Sequence, residues 1–518
     1  MSKDLIIGID AGTSVIKSIA FDLSGKQIAT AAVPNRYFTS KDGAATQPLD
    51  QTWQDCAYSL NQLGDKIPEL ADRVAAVAVT GQGDGTWLID KDTRPVGDAW
   101  LWLDARAGSK AEALRKHPSD IARFKRTGTG LNACQQGTQL AYMMTHFPEQ
   151  INQAETAFHC KDWLYHNFTG VRATDPSEGC FTFGDYQTGC YSSDVIDFYN
   201  LGTYSSLIPP ICDGVQTHHP MTRSAAKQTG LLAGTPIVLG YVDIVCSALG
   251  AGAYEPGVSV GCTIVGSTGV HIRAQKSAEI KLNCDLKSGY AMVMPIEGIA
   301  AQLQTNMAST LNLDWVLGLA EQIAGSLGVN VEKDFFLKLV DDWIVNAQPA
   351  SLLYHPYISN AGERGPFIDH TASSSFLGLS SNHQFGDLVR GTIEGLGFAA
   401  RDCYTAMGKV PQEVRLTGGA ARSKGLREIL SATLGTPVRQ STREETGASG
   451  AAMIAAVSLG VFNTMDLCLE EWVTPMLDEQ EKPVLELTNK YNRHFPKYIS
   501  ARQALQPIWH QLSNSKGH

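Results

Sequence analysis

Two carboxylates in apolar company, Asp10 and Asp243, are the side chains best placed to do chemistry in this 518-residue chain. Asp10 follows the run Ile6-Ile7-Gly8-Ile9 and precedes Gly12-Thr13-Ser14 by two residues. A glycine-hydroxyl turn after a strand lets backbone N–H groups approach an anion, and its hydroxyls add donors. A carboxylate beside such a turn can hold a divalent cation against phosphates, directly or through water. Capping the turn is its common structural alternative. Lys17 follows at a distance suited to a γ-phosphate, with a solvated surface lysine as the plainer reading. A second turn of this kind, Gly266-Ser267-Thr268-Gly269, ends the run from Val258 to Val265. Two such turns about half a chain apart suggest two similar lobes holding a polyphosphate, as in a nucleotide phosphotransferase. Asp243 stands alone at the end of an apolar strand. A kinase must deprotonate the attacking alcohol, and an Asp within hydrogen-bond reach does so. Asp also favours helix N-termini, and the two roles can coexist.

The elements that must position these groups follow from periodicity. Residues 5–33 alternate as strands, with turns at Gly12 and Ser24-Gly25. Trp53 to Leu63 has helical spacing. Val74–Thr80 is an apolar strand ending in Gly81-Gln82-Gly83-Asp84-Gly85, where functional side chains often sit. Residues 107–170 read mainly as helices. Residues 236–254 imitate a membrane span, but Asp243 and several glycines favour a strand (238–241), a turn and a small-residue helix. A helix is expected over 387–407, with Leu388, Leu396, Ala399, Cys403 and Met407 near one face. Val414–Thr417 is a strand running into Gly418-Gly419-Ala420. Ser423 caps a helix over 424–434, and 446–459 is a small-residue helix ended by Gly460.

The length exceeds what one core supports, so two large domains are expected, residues 1–249 and 250–518. Hydrophobic content of 43% and charged content of 18% suit a folded soluble protein. The net charge of −10 opposes a nucleic-acid surface. It does not oppose ATP, because amides and Mg²⁺ can neutralise phosphates locally. The 11 cysteines show no CxxC pair and no zinc spacing, which suits reduced thiols in a cytosol. Asp4 and Asp10 interrupt the first apolar run, so no signal peptide is expected. His159 and His271 lack spaced partners and read as structural. Trp87, Trp100 and Trp102 suit a sugar-pocket wall or ordinary core packing equally.

Taken in order, the motifs resemble one family. They are Gly8-Ile9-Asp10-x-Gly12-Thr13-Ser14, Thr80-Gly81-Gln82, Trp102-x-Asp104-x-Arg106, Lys161-Asp162-Trp163-Leu164, Thr174-Asp175-x-Ser177, Gly240-x-x-Asp243, Gly266-Ser267-Thr268-Gly269, Gly362-Glu363-Arg364-x-Pro366 and Gly418-Gly419-Ala420-x-Arg422-Ser423. Each is weak alone, but their shared order resembles the FGGY carbohydrate kinases over almost the whole chain. The resemblance implies an α/β fold of two RNase H-like lobes, of the actin and sugar-kinase superfamily, with Mg-ATP and sugar in the cleft between them. It implies that Asp10 assists Mg²⁺, with Asp243 as base and second carboxylate near the metal. Gly12, Thr13, Ser14 and Lys17 would hold phosphates together with Gly266, Ser267 and Thr268. Gly418, Gly419, Ala420 and Ser423 would lie on the adenosine side. Gln82, Asp84, Trp102 and Asp104 would lie towards the substrate, beside Asp243. Glu363-Arg364 is either a catalytic clamp or, the favoured reading, a lobe-stabilising ion pair.

Departures from the family pattern bear on specificity. Glycerol kinases place an Arg-Glu pair after the Gln, where this chain has Gly83 and Asp84, so the clamping arginine is absent. Xylulokinases carry Gln-Met-His-Gly there. After the base both groups usually show Gln or Asn, and here the residue is Ile244. A substrate hydroxyl held at that point has lost its partner, or another residue supplies it. The wording from Ile9 to Lys17 and of Tyr241-Val242-Asp243 resembles most the erythritol-phosphorylating branch. The expectation is therefore ATP-dependent phosphorylation of a small polyol or ketose in the cytoplasm, erythritol first, with a pentulose such as xylulose as the alternative. No nucleic-acid or membrane partner is expected, and a homodimer is compatible. Competing classes are an actin-like ATPase and a non-catalytic sugar sensor. The first gives no reason for Asp243 opposite Gln82, Asp84 and Trp102. The second gives none for two intact phosphate turns plus a base.

Overall fold

The computed structural model describes residues 3–515 and contains two six-stranded sheets, five strands of each sharing one topology. The first comprises β1 (Leu5–Ala11), β2 (Val15–Asp22), β3 (Gln27–Pro34), β4 (Val74–Gly81), β5 (His219–Pro220) and β6 (Pro236–Leu239), in the order β5-β6-β4-β1-β2-β3. The second comprises β7 (Val260–Val265), β8 (Gly269–Lys276), β9 (Tyr290–Val293), β10 (Ile299–Asn306), β11 (Glu413–Thr417) and β12 (Val438–Gln440), in the order β9-β10-β8-β7-β11-β12. In the first sheet β1-β2-β3 is an antiparallel meander, and β4 then β6 extend it in parallel from β1. In the second, β7-β8-β10 is the meander, and β11 then β12 extend it in parallel from β7. Parallel neighbours need long crossovers. Helices supply them, so both faces of the sheets are covered and β1 reads as a continuous apolar run. Leu5, Ile6, Ile7 and Ile9 are fully buried.

Helix α1 (Leu49–Lys66) covers one face of the first sheet through Leu49, Trp53, Cys56, Leu60 and Leu63, which recur at helical spacing. Further on come α2 (Cys160–Thr169), α3 (Pro176–Phe183), α4 (Asp243–Gly250), α5 (Phe385–Ala406), α6 (Lys424–Leu434) and α7 (Thr446–Ser458). The pair α4 and α7 lies between the sheets. One core joins Ile6, Ala76 and Val238 of the first sheet, Val245 and Leu249 of α4, Ala448 and Ala452 of α7, and Cys262, Ile272 and Leu303 of the second sheet. This packing is backbone to backbone. A Cβ on Gly8 would lie 2.1 Å from the Ala448 carbonyl oxygen, and one on Gly450 would lie 2.0 Å from that of Cys246. The small residues of 446–459 thus serve close approach between lobes. On the opposite flank, the Gly130 N–H donates to the Gly289 carbonyl at 3.0 Å and Asn132 Nδ2 to the Tyr290 hydroxyl at 2.9 Å.

Expected elements shift at their edges. The 53–63 helix grows into α1, and 387–407 becomes α5. The strand expected at 238–241 runs instead over β6, and Asp243 opens α4 after a turn at 240–242. The 107–170 region holds helices Gly108–Arg115, Asp120–Thr127, Gln136–His146, Pro148–Gln153 and α2, with a short strand Thr156–Phe158. Ser423 Oγ accepts the Leu426 N–H at 3.2 Å, capping α6. The 249/250 division falls at the end of α4. Among the described residues, no helix is long and apolar enough to cross a membrane. All the cysteines are free thiols.

Candidate active site

Asp243 is held by the two residues before it. Thr80 Oγ1, on β4, donates to the Tyr241 carbonyl at 2.6 Å. The Val242 N–H donates to Ser177 Oγ, on α3, at 3.0 Å. Behind them, Asp175 accepts the Ser177 N–H at 2.8 Å and pairs with Lys161 at 2.6 Å. Lys161 also meets Asp162 at 2.8 Å, and all of these groups are buried. The Lys161-Asp162 and Asp175-x-Ser177 motifs are therefore the scaffold of the Asp243 turn.

Asp10 ends β1, with Lys17 opposite on β2 and Thr80 opposite on β4. Burial, then the Asp10 charge, pushes the Asp243 carboxyl up to about 8. Burial also pushes Asp10 up to about 6, against the pull of Lys17 and with a push from Glu445. Lys17 Nζ pairs with Glu445 at 2.9 Å, a partner that periodicity had not revealed. The first turn of α7 abuts Asp10, since a Cβ on Gly447 would lie 2.6 Å from Asp10 Oδ2. Asp10 and Asp243, two buried carboxyls of which the first raises the second, are a donor set that suits Mg²⁺, which takes one or two carboxylates and completes its shell with phosphates and water. Among the described residues no cluster of three or more His, Cys, Asp or Glu forms a metal cage.

The first phosphate turn is wired to the expected substrate side. Trp102 Nε1 donates to Thr13 Oγ1 at 2.8 Å, and Thr13 Oγ1 donates to Gln82 Oε1 at 2.9 Å. Gln82 Nε2 then donates to Gln47 Oε1 at 2.7 Å. The Gly12 carbonyl accepts from Asn35 Nδ2 at 2.8 Å, and Ser14 is exposed. Trp102 is 38% exposed, whereas Trp87 and Trp100 are core. Asp104 accepts the Ala45 N–H at 2.9 Å and the Arg106 fork at 2.6 and 3.0 Å, so its buried carboxylate holds the loop that carries Trp102.

In the second lobe, the Gly266 carbonyl accepts from Thr310 N–H at 3.0 Å and the Ser267 carbonyl from Ser309 N–H at 2.7 Å. The turn's carbonyls are thus engaged by protein, and Ser267 and Thr268 are exposed. Gly418, at φ +98°, abuts that turn, because a Cβ there would lie 2.5 Å from the Val265 carbonyl oxygen. Gly419 faces open space. Ser423 also donates to Asp341 at 2.7 Å.

A further cluster surrounds Asp84, which sits at φ +56°. One of its oxygens meets Cys134 Sγ at 3.4 Å, and the other is buried without a hydrogen-bond partner. His159 Nε2 and Glu178 Oε2 are likewise buried without one. The Arg364 guanidinium, from the second lobe, feels Cys134, Tyr290 and Asp84. It makes no ion pair or hydrogen bond among the described residues. The expected Glu363–Arg364 ion pair is thus not formed. Glu363 turns inward, taking the N–H groups of Met307 at 2.9 Å and Arg364 at 2.8 Å. His271, as expected, is structural: it meets Asn306 at 3.0 Å, and burial pushes it down to about 4. Glu178 joins His159, Glu445 joins Lys17 and Arg364 comes near Asp84 only through the fold. The one local sign was the glycine at position 83, which leaves room for a neighbour.

Similarity to known proteins extends along both halves. The profile described as "FGGY family of carbohydrate kinases, N-terminal domain" matches residues 5–250, and its C-terminal counterpart matches residues 283–459. The chain is 54% identical over 513 residues to the erythritol kinase of Brucella abortus (strain 2308), covering 99% of this chain and 98% of that protein. It is 25% identical to the xylulose kinase of Bacillus subtilis (strain 168), covering 90% and 91%. Among solved structures, the xylulose kinase from Rhodospirillum rubrum matches with a TM-score of 0.86 at 25% identity, covering 98% of this chain and 100% of that one. With two like sheets and both family profiles matched in order, the chain belongs to the FGGY family of carbohydrate kinases.

Proposed function

We propose that this kinase transfers the γ-phosphoryl group of ATP to a hydroxyl of a small acyclic polyol, erythritol first. The observation that carries the chemistry is the Asp243 carboxyl, buried, pinned by its neighbours and pushed up to about 8. A base works best with its pKa near the working pH. Asp243 accepts the proton of the attacking hydroxyl. Asp10, with Asp243 nearby, would hold Mg²⁺, which supplies charge neutralisation at the phosphates. The Thr13 backbone N–H and the exposed Ser267 and Thr268 hydroxyls are donors for the phosphate oxygens, and the Gly418-Gly419-Ala420 loop is the adenosine side. Trp102 offers its ring to C–H faces of the polyol, and Gln82 holds the first phosphate turn in register with it.

The 54% identity to the Brucella erythritol kinase supports the four-carbon substrate. The xylulose kinase relatives support a pentulose as the second reading. The free thiols accord with a cytosolic site, and the net charge of −10 accords with no nucleic-acid partner. The test is an ADP-coupled assay over glycerol, erythritol and D-xylulose. Erythritol should give the highest kcat/KM. Glycerol emerging as the best of the three would overturn the substrate reading, because it would mean that Gly83 and Ile244 cost the enzyme no discrimination.

A further inference from the structure

Resting on that reading, we infer that Glu178, with His159 behind it, is the substrate-hydroxyl acceptor that replaces the polar groups missing at positions 83 and 244. Glu178 lies in the first turn of α3, directly after the Ser177 that holds Val242. Its carboxylate is 2% exposed. A Cβ on Gly83 would lie 2.6 Å from Glu178 Oε1 and 2.5 Å from Val242 Cγ2. Glycine at 83 therefore lets Glu178 and Val242, the residue before Asp243, pack directly against the backbone in the space a side chain would need. Any side chain at 83 would displace the carboxylate.

The carboxylate is presented, not consumed. His159 Nδ1 bonds Asp162 Oδ2 at 3.1 Å, and that oxygen also accepts the His159 N–H at 3.0 Å. The ring is fixed, and its Nε2 faces Glu178 Oε2 at 3.2 Å, yet the geometry makes neither atom a hydrogen bond. Asp162 is ionised, held at about 2 by Lys161 and His159 despite its burial, so Nδ1 carries a proton. Burial draws His159 down, but the Glu178 and Asp162 carboxylates outweigh it and raise the group, so the ring holds its charge and Nε2 faces Glu178 Oε2 as an ion pair. The other oxygen, Oε1, beside Gly83, accepts no hydrogen bond among the described residues, and buried polar atoms are normally satisfied. A hydroxyl suits the place, because it donates to such an oxygen. Burial pushes Glu178 up to about 7, with His159 and Lys161 pulling it down. Asp84, with its own unpartnered oxygen, is a second buried carboxyl that acts on Asp243. An ionised carboxylate calls for hydroxyls that donate, and a polyol offers one on every carbon.

The test uses the full-length enzyme with erythritol, butane-1,2,4-triol, butane-1,2,3-triol and D-xylulose. Wild-type turnover of erythritol comes first. Its absence refutes the polyol reading and this inference with it. Glu178→Gln keeps shape and removes charge, and should raise the erythritol KM ~10- to 100-fold while kcat falls less. One of the two triols, the one lacking the contacted hydroxyl, should be penalised against erythritol in the wild type and no longer in the variant. Gly83→Ala should reproduce the KM effect by displacing the carboxylate. His159→Leu should do so by releasing it, with partial rescue in His159→Gln. ATP-dependent melting shifts show which variants are folded, and Gly83→Ala decides the matter if Glu178→Gln is not. An erythritol KM within about twofold of wild type, against the tenfold a charged hydrogen bond is worth, overturns the assignment. So do triol penalties that persist in the variant, or a loss confined to kcat.

Discussion

Replacing Asp243 by Asn should move activity and stability in opposite directions. Loss of the base should lower kcat ~10²–10⁴-fold. Stability follows from the carboxyl's environment, which raises it from 3.8 to about 8. Below 3.8 both folded and unfolded chains hold the proton, and the wild type has its full stability. Between 3.8 and about 8 the unfolded chain releases the proton and the folded one keeps it, so wild-type stability falls as pH rises. At 1.36 kcal/mol per unit, the ~3 units up to pH 7 set a ceiling of ~4 kcal/mol. Asn cannot ionise and escapes this loss. The variant should therefore melt above the wild type at pH 8 without Mg²⁺, with the gap closing towards pH 4. Added Mg²⁺ should narrow the gap by relieving the repulsion with Asp10. The assays are ADP-coupled turnover and thermal melting at pH 5, 6.5 and 8 in EDTA. A variant that melts at or below the wild type at pH 8 would refute the electrostatic reasoning. One that keeps more than about a tenth of kcat would refute the base.

Asp10→Asn should need ~10-fold more Mg²⁺ to reach half its maximal rate, and an unchanged metal titration would remove Asp10 from the metal site. Arg364→Met should lower kcat/KM, because the guanidinium is a second-lobe charge that acts on the buried Asp84. Its melting temperature should stay put, because the guanidinium makes no ion pair or hydrogen bond among the described residues; a large drop would show a structural role instead. Gly8→Ala and Gly450→Ala press a methyl to 2.1 and 2.0 Å of backbone oxygens that cannot yield. Each should cost ~3 kcal/mol or more, whereas Gly419→Ala, facing open space, should melt within about a degree of wild type.

The sequence by itself determined what is local or periodic. The strand-turn pairs at Gly12 and Gly266, the Ser423 cap and the small-residue run at 446–458 follow from neighbours a few residues apart, and their order carried the family. Asp10 and Asp243 stood out because an isolated carboxylate among apolar residues is conspicuous in one dimension. Only the tertiary structure decided who faces whom. Lys17 meets Glu445 across 428 positions of chain, and α7 leaves its own half to lie beside β1. Glu178 gains meaning only because Gly83, distant in sequence, leaves it space. The Glu363–Arg364 pair misled for the converse reason: adjacency suggests a partner, but burial turned Glu363 to backbone amides. Hydrogen bonds and Coulomb terms depend on distance in space, and a chain of glycines and alanines brings its segments to contact without any mark of the partner they will meet.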